Sequence, residues 1–301
     1  MTPIVSVIMP VFNAERYVAE SIESVFGQGF RSYELIVVDD GSVDRSRQIV
    51  QGYGQRLRLI ESENRGPSHA RNIGIGLARG RFIALLDADD LWRPDKLEQQ
   101  VACLERSELT GLVHSDLEII NSDGLVEGRR PCSVDRSDFA SRFLFGQAIY
   151  PSAVLIRTEL LRSIGGFSED FAAGGWEDVE LWTRCAERSQ FQCISEPLVL
   201  FREHPASTTR NPVRRLRNQE ILLEKLWARH QERHRRYLHS EFAKLYLNLG
   251  KALVRTGGAE EGRGYLKRAI ALGGTGGVGL KTTLRACLRL GESYVRSVGG
   301  V

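Results

Sequence analysis

Hydrophobic and polar positions in residues 4–115 alternate between short apolar runs and amphipathic stretches. The β-branched apolar runs predict strands, and the stretches between them show the apolar spacing of helices. The predicted strands are Ile4–Met9, Glu34–Val38, Leu57–Glu61, Phe82–Leu86 and Gly111–Ser115. The predicted helices are Ala14–Phe26, Val43–Gly52, Pro67–Arg79 and Pro94–Ser107. This alternation predicts a parallel, doubly wound α/β sheet, in which ligands bind beyond the carboxyl ends of the strands.

Start signals and further patterns extend this picture along the chain. Ser42 is the predicted N-cap of the second helix, and Pro67 and Pro94 lie at predicted helix starts. The run Asn-Ser-Asp-Gly at residues 121–124 predicts a turn. The remaining predicted elements are strands at Ala148–Arg157 and Phe191–Arg202 and a helix at Trp176–Arg188.

A change of composition near residue 210 predicts two domains, an α/β domain at residues 1–210 and a helical extension at residues 211–301. The extension is predicted to contain a helix at residues 213–236, a helical hairpin at residues 241–272 and a basic amphipathic helix at residues 280–298. Before residue 210 the chain holds 22 Lys/Arg and 31 Asp/Glu, and from there on it holds 19 and 7. Such a basic extension predicts peripheral contact with an anionic membrane surface, although solvated helix faces explain the same charge.

Two acidic loops follow two of the predicted strands, at residues 37–42 and 85–90. Asp87 and Asp89 are two residues apart, so on an extended segment both carboxylates lie on one side. Carboxylates packed this densely raise one another's pKa unless a cation lies among them, and Mg²⁺ or Mn²⁺ favours such oxygen ligands. Aspartate is also an ordinary turn residue, but two acidic loops at one edge of a sheet favour a binding site.

Six short segments in a fixed order carry a resemblance to the inverting glycosyltransferases of family 2, which have the GT-A fold. They are Val5–Asn13, Ile36–Ser42, Ala70–Gly74, Leu86–Asp90, Gly175–Trp182 and Phe201–His204. The resemblance implies a Rossmann-like, mostly parallel sheet for the first domain. It also implies a nucleotide-diphosphate sugar as donor and a divalent cation, Mg²⁺ or Mn²⁺, as cofactor.

The resemblance also assigns roles to residues at the matching positions. The donor nucleotide would be bound by Pro10, Val11, Phe12, Asn13, Asp39, Asp40, Arg71, Asp87 and Asp89. Asp40 would accept a hydrogen bond from the base, and Arg71 would lie near the base or the phosphates. Asp89 and Asp90 would hold the metal on the diphosphate, with His204 as a further candidate ligand.

The catalytic chemistry implied by the resemblance is a single displacement at the anomeric carbon. Asp178 would be the base that deprotonates the acceptor hydroxyl, and Trp176 and Glu177 would lie on the acceptor side. A bound cation would neutralise the charge that develops on the leaving diphosphate. One displacement without a covalent intermediate inverts the anomeric centre.

Several features remain open on sequence grounds. UDP is the expected nucleotide, with dTDP and GDP as alternatives, and the acceptor is expected to be a saccharide or a lipid-linked glycan of the cell surface. A non-catalytic scaffold with this fold and a sugar nucleotidyltransferase are the competing functions; the loop at residues 10–15 lacks the glycine and lysine that favour the latter. No nucleic-acid partner is expected.

Cysteine usage and hydropathy predict the compartment. The five cysteines are scattered without a C-x-x-C pair, which favours neither a disulfide framework nor a zinc site. No segment has the apolar length of a membrane span or the pattern of a signal peptide. We therefore expect a cytoplasmic protein that contacts the inner face of the membrane.

Overall fold

A computed structural model describes residues 2–131, 149–171, 175–205 and 211–273, and the chain divides into two compact units, residues 1–207 and 208–301. The strands of the first unit are β1 Val5–Val11, β2 Tyr33–Asp39, β3 Arg58–Glu61, β4 Phe82–Leu85, β5 Leu91–Trp92, β6 Thr110–Ile120, β7 Val126–Arg130, β8 Leu155–Arg157 and β9 Gln190–Arg202. Its helices are α1 Val18–Phe26, α2 Ser46–Gln51, α3 Pro67–Leu77, α4 Lys96–Glu105, α5 Thr158–Ser163 and α6 Glu177–Ala186.

The described strands form one sheet in the order β3-β2-β1-β4-β8-β6-β9-β5, with β7 paired to β6. The first four strands in this order are parallel, β8 is antiparallel to both of its neighbours, and β6 is parallel to β9. The mixed α/β fold with a mostly parallel sheet and a C-terminal helical region is confirmed.

Two hydrophobic clusters form the core on the two sides of the sheet. In β1, Val5, Val7 and Met9 belong to one cluster and Ile8 to the other, because successive side chains point to opposite faces. Helices α1 and α4 contribute buried residues to the first cluster, and α3 and α6 contribute to the second. Burial on both faces explains why β1 is an almost continuous apolar run rather than an alternating one.

The predicted N-cap at Ser42 is wrong, because α2 begins only at Ser46. The Asp44 carboxylate accepts a hydrogen bond from the Ser46 backbone N–H at 2.9 Å, and Ser42 instead accepts one from the Asn13 N–H at 3.0 Å. Pro67 is the first residue of α3 as predicted, which suits its missing N–H and fixed φ. The side chain of Ser42 therefore joins two loops rather than capping a helix.

Strands flank the predicted turn at residues 121–124, where no strand was predicted beyond Ser115. Strand β6 continues to Ile120, and β7 returns alongside it after the predicted turn, which is closed by a hydrogen bond from Gly124 N–H to Asn121 O at 3.0 Å. Within the predicted strand Ala148–Arg157, only the three residues of β8 are extended strand; residue 148 lies outside the described residues.

The described residues of the second unit form a helical hairpin, as predicted for residues 241–272. Helix α7 spans Pro212–Arg255 and α8 spans Ala259–Gly273. The separate helices predicted before and after residue 240 are one helix with non-helical backbone angles at His234. The helices approach closely at Gly250, where a Cβ atom would lie 2.8 Å from the Leu266 side chain. The predicted helix at residues 280–298 lies outside the described residues.

No helix in the described ranges combines the length and the apolar character needed to cross a membrane.

Candidate active site

The ends of β1, β2 and β4 bring the predicted site loops to one edge of the sheet. These strands are parallel neighbours, so the loops that follow them emerge on the same side. The loop after β1 carries Asn13, the loop after β2 carries Asp40, and the loop after β4 carries Asp87 to Asp90. The sequence placed these carboxylates together correctly.

The loop after β1 is held by hydrogen bonds to the loop after β2. Val11 is buried and Pro10 is partly buried in β1, whereas Phe12 is 46% exposed. Asn13 has a left-handed backbone conformation, with φ 48°, and its side-chain oxygen accepts a hydrogen bond from the Val43 N–H at 2.9 Å. This leaves Phe12 as an exposed aromatic side chain next to the acidic loops.

Asp39 and Asp40 are both buried, and their carboxylates accept hydrogen bonds from other parts of the protein. Asp39 accepts a hydrogen bond from Arg47 Nε at 2.8 Å. Asp40 accepts one from the Arg65 N–H at 3.0 Å and another from the Gly66 N–H at 2.8 Å, just before α3 begins. The assignment of these two aspartates to the nucleotide stays a prediction.

A buried ion-pair bridge connects α3 to the acidic loop and to the start of α6. Arg71 donates through one Nη to Asp87 at 2.7 Å and through the other to Glu177 at 3.0 Å. The side chains of Arg71 and Glu177 are 5% and 7% exposed. Burial alone would lower the pKa of Arg71, but the two carboxylates outweigh burial and raise it. Arg71 therefore stays charged. It links Asp87 and Glu177, which are 90 residues apart in the sequence, through its two Nη groups.

Asp178 lies beside this bridge at the amino end of α6. Burial, followed by the neighbouring Glu177 carboxylate, raises the pKa of Asp178 to about 7. Trp176 precedes the helix in a left-handed conformation, with φ 77°, and is 8% exposed. Both Glu177 oxygens accept hydrogen bonds, one from Arg71 and one from the Gly175 N–H. Glu177 is thus an internal partner of Arg71, and the assignments of Glu177 to the acceptor side and of Asp178 as the base stay predictions.

Asp89 and His204 form a second polar pair near the acidic loop. His204 Nε2 lies 2.9 Å from Asp89 Oδ2, and the His204 ring packs against the Tyr17 ring with 5.0 Å between the ring centroids. The side chain of Asp89 remains 32% exposed. The sequence assigned both residues to the metal, and the structure brings them together.

Asp90 is placed differently from Asp89, although the two are adjacent in sequence. It is 1% exposed, and its carboxylate accepts hydrogen bonds from Ser152 Oγ at 2.5 Å and from the Arg202 backbone N–H at 2.9 Å. Burial, with the charges of Asp89 and Asp87, raises the pKa of Asp90 well above its ordinary value. Both oxygens therefore accept hydrogen bonds from protein donors, and the metal contact assigned to Asp90 stays a prediction.

Ser152 and Arg202 are site-forming residues to which the sequence analysis gave no role. They are 62 and 112 residues from Asp90 along the chain, so no local spacing indicates the contact. Arg202 does fall inside the segment Phe201–His204 that carried the resemblance, which was the one available signal.

A divalent cation at this acidic loop would have fewer than three side-chain ligands among the described residues. No group of three or more His, Cys, Asp or Glu side chains that could hold a metal ion occurs in the described part of the chain. The side chains of Asp87 and Asp89 are 29% and 32% exposed, which leaves carboxylate oxygens accessible. Mg²⁺ commonly takes one or two protein carboxylates and completes its shell with water and substrate phosphates. The residues present fit a cation shared with a diphosphate.

Comparisons with known sequences agree with this geometry. The sequence profile described as Glycosyl transferase family 2 matches residues 6–129. An uncharacterised glycosyltransferase of Rickettsia typhi is 30% identical over 226 residues, which cover 73% of this chain and 70% of that protein. The Escherichia coli UDP-Glc:alpha-D-GlcNAc-diphosphoundecaprenol beta-1,3-glucosyltransferase WfgD is 38% identical over 125 residues, which cover 41% of this chain and 49% of that enzyme.

Solved structures show the same fold. S. aureus TarS residues 1–349 in complex with UDP-GlcNAc matches with a TM-score of 0.61 and 20% identity, covering 89% of this chain and 83% of that one. The mannosyltransferase PcManGT of Pyrobaculum calidifontis, in complex with GDP-Man and Mn²⁺, matches with a TM-score of 0.56 and 22% identity, covering 96% and 81%. With the Rickettsia similarity extending over most of both chains, this protein belongs to glycosyltransferase family 2 and has the GT-A fold.

Proposed function

We propose that this protein is an inverting, metal-dependent glycosyltransferase that moves a sugar from a nucleotide-diphosphate donor to an acceptor hydroxyl. The observation that carries the proposal is the buried bridge from Asp87 through Arg71 to Glu177. It joins the acidic loop expected to bind the donor to the helix that presents Asp178. A candidate base and a candidate diphosphate site are thereby held at opposite ends of one arginine.

Asp178 is the proposed catalytic base. A carboxylate with a pKa of about 7 is half deprotonated near neutral pH and accepts the hydroxyl proton more readily than an ordinary, more acidic aspartate. Attack by the deprotonated oxygen on the face opposite the diphosphate inverts the anomeric carbon in one step. The other carboxylates of the site have internal partners or lie at the acidic loop, which favours Asp178 for this role.

Asp89 is the proposed metal and diphosphate residue, with Asp87 and His204 beside it. A bound Mg²⁺ or Mn²⁺ would neutralise charge on the leaving diphosphate. The Mn²⁺ in the Pyrobaculum structure supports a cation, and the UDP-sugars of the TarS complex and the E. coli enzyme support UDP as nucleotide. Asp90 stabilises the acidic loop through its hydrogen bonds with Ser152 and Arg202.

The wider setting is also a proposal. The division into residues 1–210 and 211–301 would separate a catalytic domain from a basic extension, whose residues 211–273 hold 14 Lys/Arg and 6 Asp/Glu. That positive charge suits the anionic inner face of a membrane. The diphosphoundecaprenol acceptor of the E. coli relative supports a lipid-linked acceptor and a role in cell-surface polysaccharide synthesis.

Nucleotide binding tests the donor site. By calorimetry, we expect UDP to bind more tightly with Mn²⁺ than with EDTA, and Asp89→Asn to lose at least about 10-fold in the Mn²⁺-dependent affinity, because a charged ligand oxygen is lost. Asp95→Asn, at an exposed position just before α4, is the matched control and should bind like the wild type. If UDP, dTDP and GDP all fail to bind under every condition, the enzyme proposal is wrong.

Transfer itself separates the proposal from a scaffold function. With the bound UDP-sugar and a panel of saccharide and lipid-diphosphate acceptors, the product should carry the anomeric configuration opposite to that of the donor, which NMR coupling constants report. Donor binding without hydrolysis or transfer to any acceptor would favour the scaffold, and retention of configuration would exclude the single displacement.

The pH dependence of turnover follows from the raised pKa of Asp178. The base must be deprotonated to act, so kcat/KM should rise with pH and reach half its maximum near pH 7 on the acidic limb. Burial, Glu177 and Asp87 raise the pKa of Asp178, while the Val179 N–H and Arg71 oppose them. A profile that is flat from pH 5 to 8 would contradict the assignment of Asp178 as the base.

A further inference from the structure

Arg202 is the last residue of β9 and is almost completely buried, with 1% of its side chain exposed. A guanidinium this deep cannot reach substrate, and burying its charge is costly unless its donors are paired. Each of its three nitrogens donates a hydrogen bond within the first unit. The partners of these nitrogens show what the residue does.

The first contact of Arg202 is with the acidic loop. Its Nε donates to the backbone carbonyl of Asp89 at 2.9 Å, and its own backbone N–H donates to the carboxylate of Asp90 at 2.9 Å. Arg202 therefore donates hydrogen bonds to two consecutive residues of the loop, to Asp90 through its backbone and to Asp89 through its side chain. The backbone of Asp89 is fixed while its carboxylate remains exposed.

The other contacts of Arg202 reach α1 and the turn between β6 and β7. One Nη donates to Glu20 at 2.7 Å, and the other lies 3.4 Å from the carbonyls of both Asn121 and Ser122. The guanidinium also stands over the Tyr17 ring, 4.5 Å from its centroid. Only a planar fork with five donors can serve all these directions, so lysine cannot replace it.

These contacts converge on the geometry of Asp89 and His204. His204 follows Arg202 by two residues, and its Nε2 lies 2.9 Å from the carboxylate of Asp89. Tyr17 packs against both the Arg202 guanidinium and the His204 ring. The contacts of Arg202 thus fix the distance between the Asp89 carboxylate and the His204 ring.

We propose that Arg202 is a positioning residue that holds Asp89 and His204 at the spacing needed to bind a divalent cation on the donor diphosphate. This inference rests on the proposed function, because it presupposes that Asp89 contacts the metal. It adds one requirement for tight cation binding. The hydrogen bonds of the buried Arg202 must connect the acidic loop to α1 and to the β6–β7 turn.

The test is the gain in UDP affinity that Mn²⁺ provides over EDTA, measured by calorimetry on the full chain. Arg202→Lys should lower this gain by about 10- to 100-fold, the usual effect of removing a group that orients a metal ligand. Affinity for UDP in EDTA should stay unchanged. Glu20→Gln leaves the arginine in place and weakens one contact at a side chain that is 58% exposed, so it should fold and shift the gain in the same direction by less.

Arg157→Lys is the matched control for a general loss of stability. Arg157 also ends a strand, β8, donates to backbone carbonyls of Thr110, Leu104 and Ser107 at 2.7–3.1 Å, and stands over the Phe82 ring. This variant should lower the melting temperature to a similar extent as Arg202→Lys and leave the Mn²⁺ gain unchanged.

The outcomes distinguish the two levels of the proposal. If the wild type shows a Mn²⁺ gain that folded Arg202→Lys and Glu20→Gln both retain, Arg202 does not position the metal site and the inference is overturned alone. Should Arg202→Lys fail to fold, Glu20→Gln decides in the same way. If the wild type itself shows no Mn²⁺ gain, the metal role in the proposed function fails, and the inference is overturned with it.

Discussion

Asp178→Asn should reduce kcat by about 10²- to 10⁴-fold, the usual contribution of a positioned general base. Asparagine has nearly the same shape but cannot accept the hydroxyl proton, so the acceptor oxygen must attack while still protonated. The proposed contacts of the donor nucleotide lie at other residues, so its affinity should stay within about two-fold of the wild type because uniform binding is unaffected. Single-turnover transfer together with UDP calorimetry measures both quantities.

The control for this substitution lies on the same helix. Glu187→Gln removes a carboxylate from the far end of α6, at an exposed position about 13 Å along the helix axis. It should leave kcat unchanged, which would separate loss of the base from a change in helix stability or net charge. Full turnover by Asp178→Asn would show that another group, or solvent, takes the proton.

The gathering of the site loops could be predicted from sequence, but the division of work among the carboxylates could not. The alternation of strands and helices placed Asp40, Asp87 and Asp89 at one edge of the sheet, because parallel strands share their carboxyl ends. Asp89 and Asp90 are indistinguishable by spacing. Their contacts differ because two residues from distant segments, Ser152 and Arg202, donate hydrogen bonds to the carboxylate of Asp90.

The fold shows the same limit. The buried parallel strands were predictable because burial on both faces leaves a continuous apolar run, as in β1. Strand β7 was not, since all of its residues are exposed and it carries no apolar alternation; its hydrogen bonds to β6 alone define it. The start of α2 was placed three residues too early because serine is a preferred N-cap residue, whereas the hydroxyl of Ser42 accepts a hydrogen bond from the Asn13 N–H.

Arg71 has two contacts that the family resemblance did not indicate. The sequence placed this residue near the base or the phosphates of the nucleotide. In the structure its two Nη groups are taken by Asp87 and Glu177, and little of the side chain is exposed. The assignment of Arg71 to the donor site stays a prediction, and its hydrogen bond to Asp87 links it to the acidic loop.

Arg71→Met should destabilise the first unit by about 3–5 kcal/mol, because it leaves the buried Glu177 carboxylate and the partly exposed Asp87 carboxylate without a cation. Urea unfolding monitored by tryptophan fluorescence measures this loss, which is a large share of an ordinary domain's stability. Adding Glu177→Gln should recover part of it, since one of the unpaired charges is then removed, and the double-mutant cycle gives the coupling energy between Arg71 and Glu177.

Arg81→Met, which removes the exposed partner of Glu105, is the control and should cost at most about 1 kcal/mol. A loss for Arg71→Met no larger than that of the control would mean that the bridge does not hold α6 to the acidic loop, and the placement of Asp178 would need another cause.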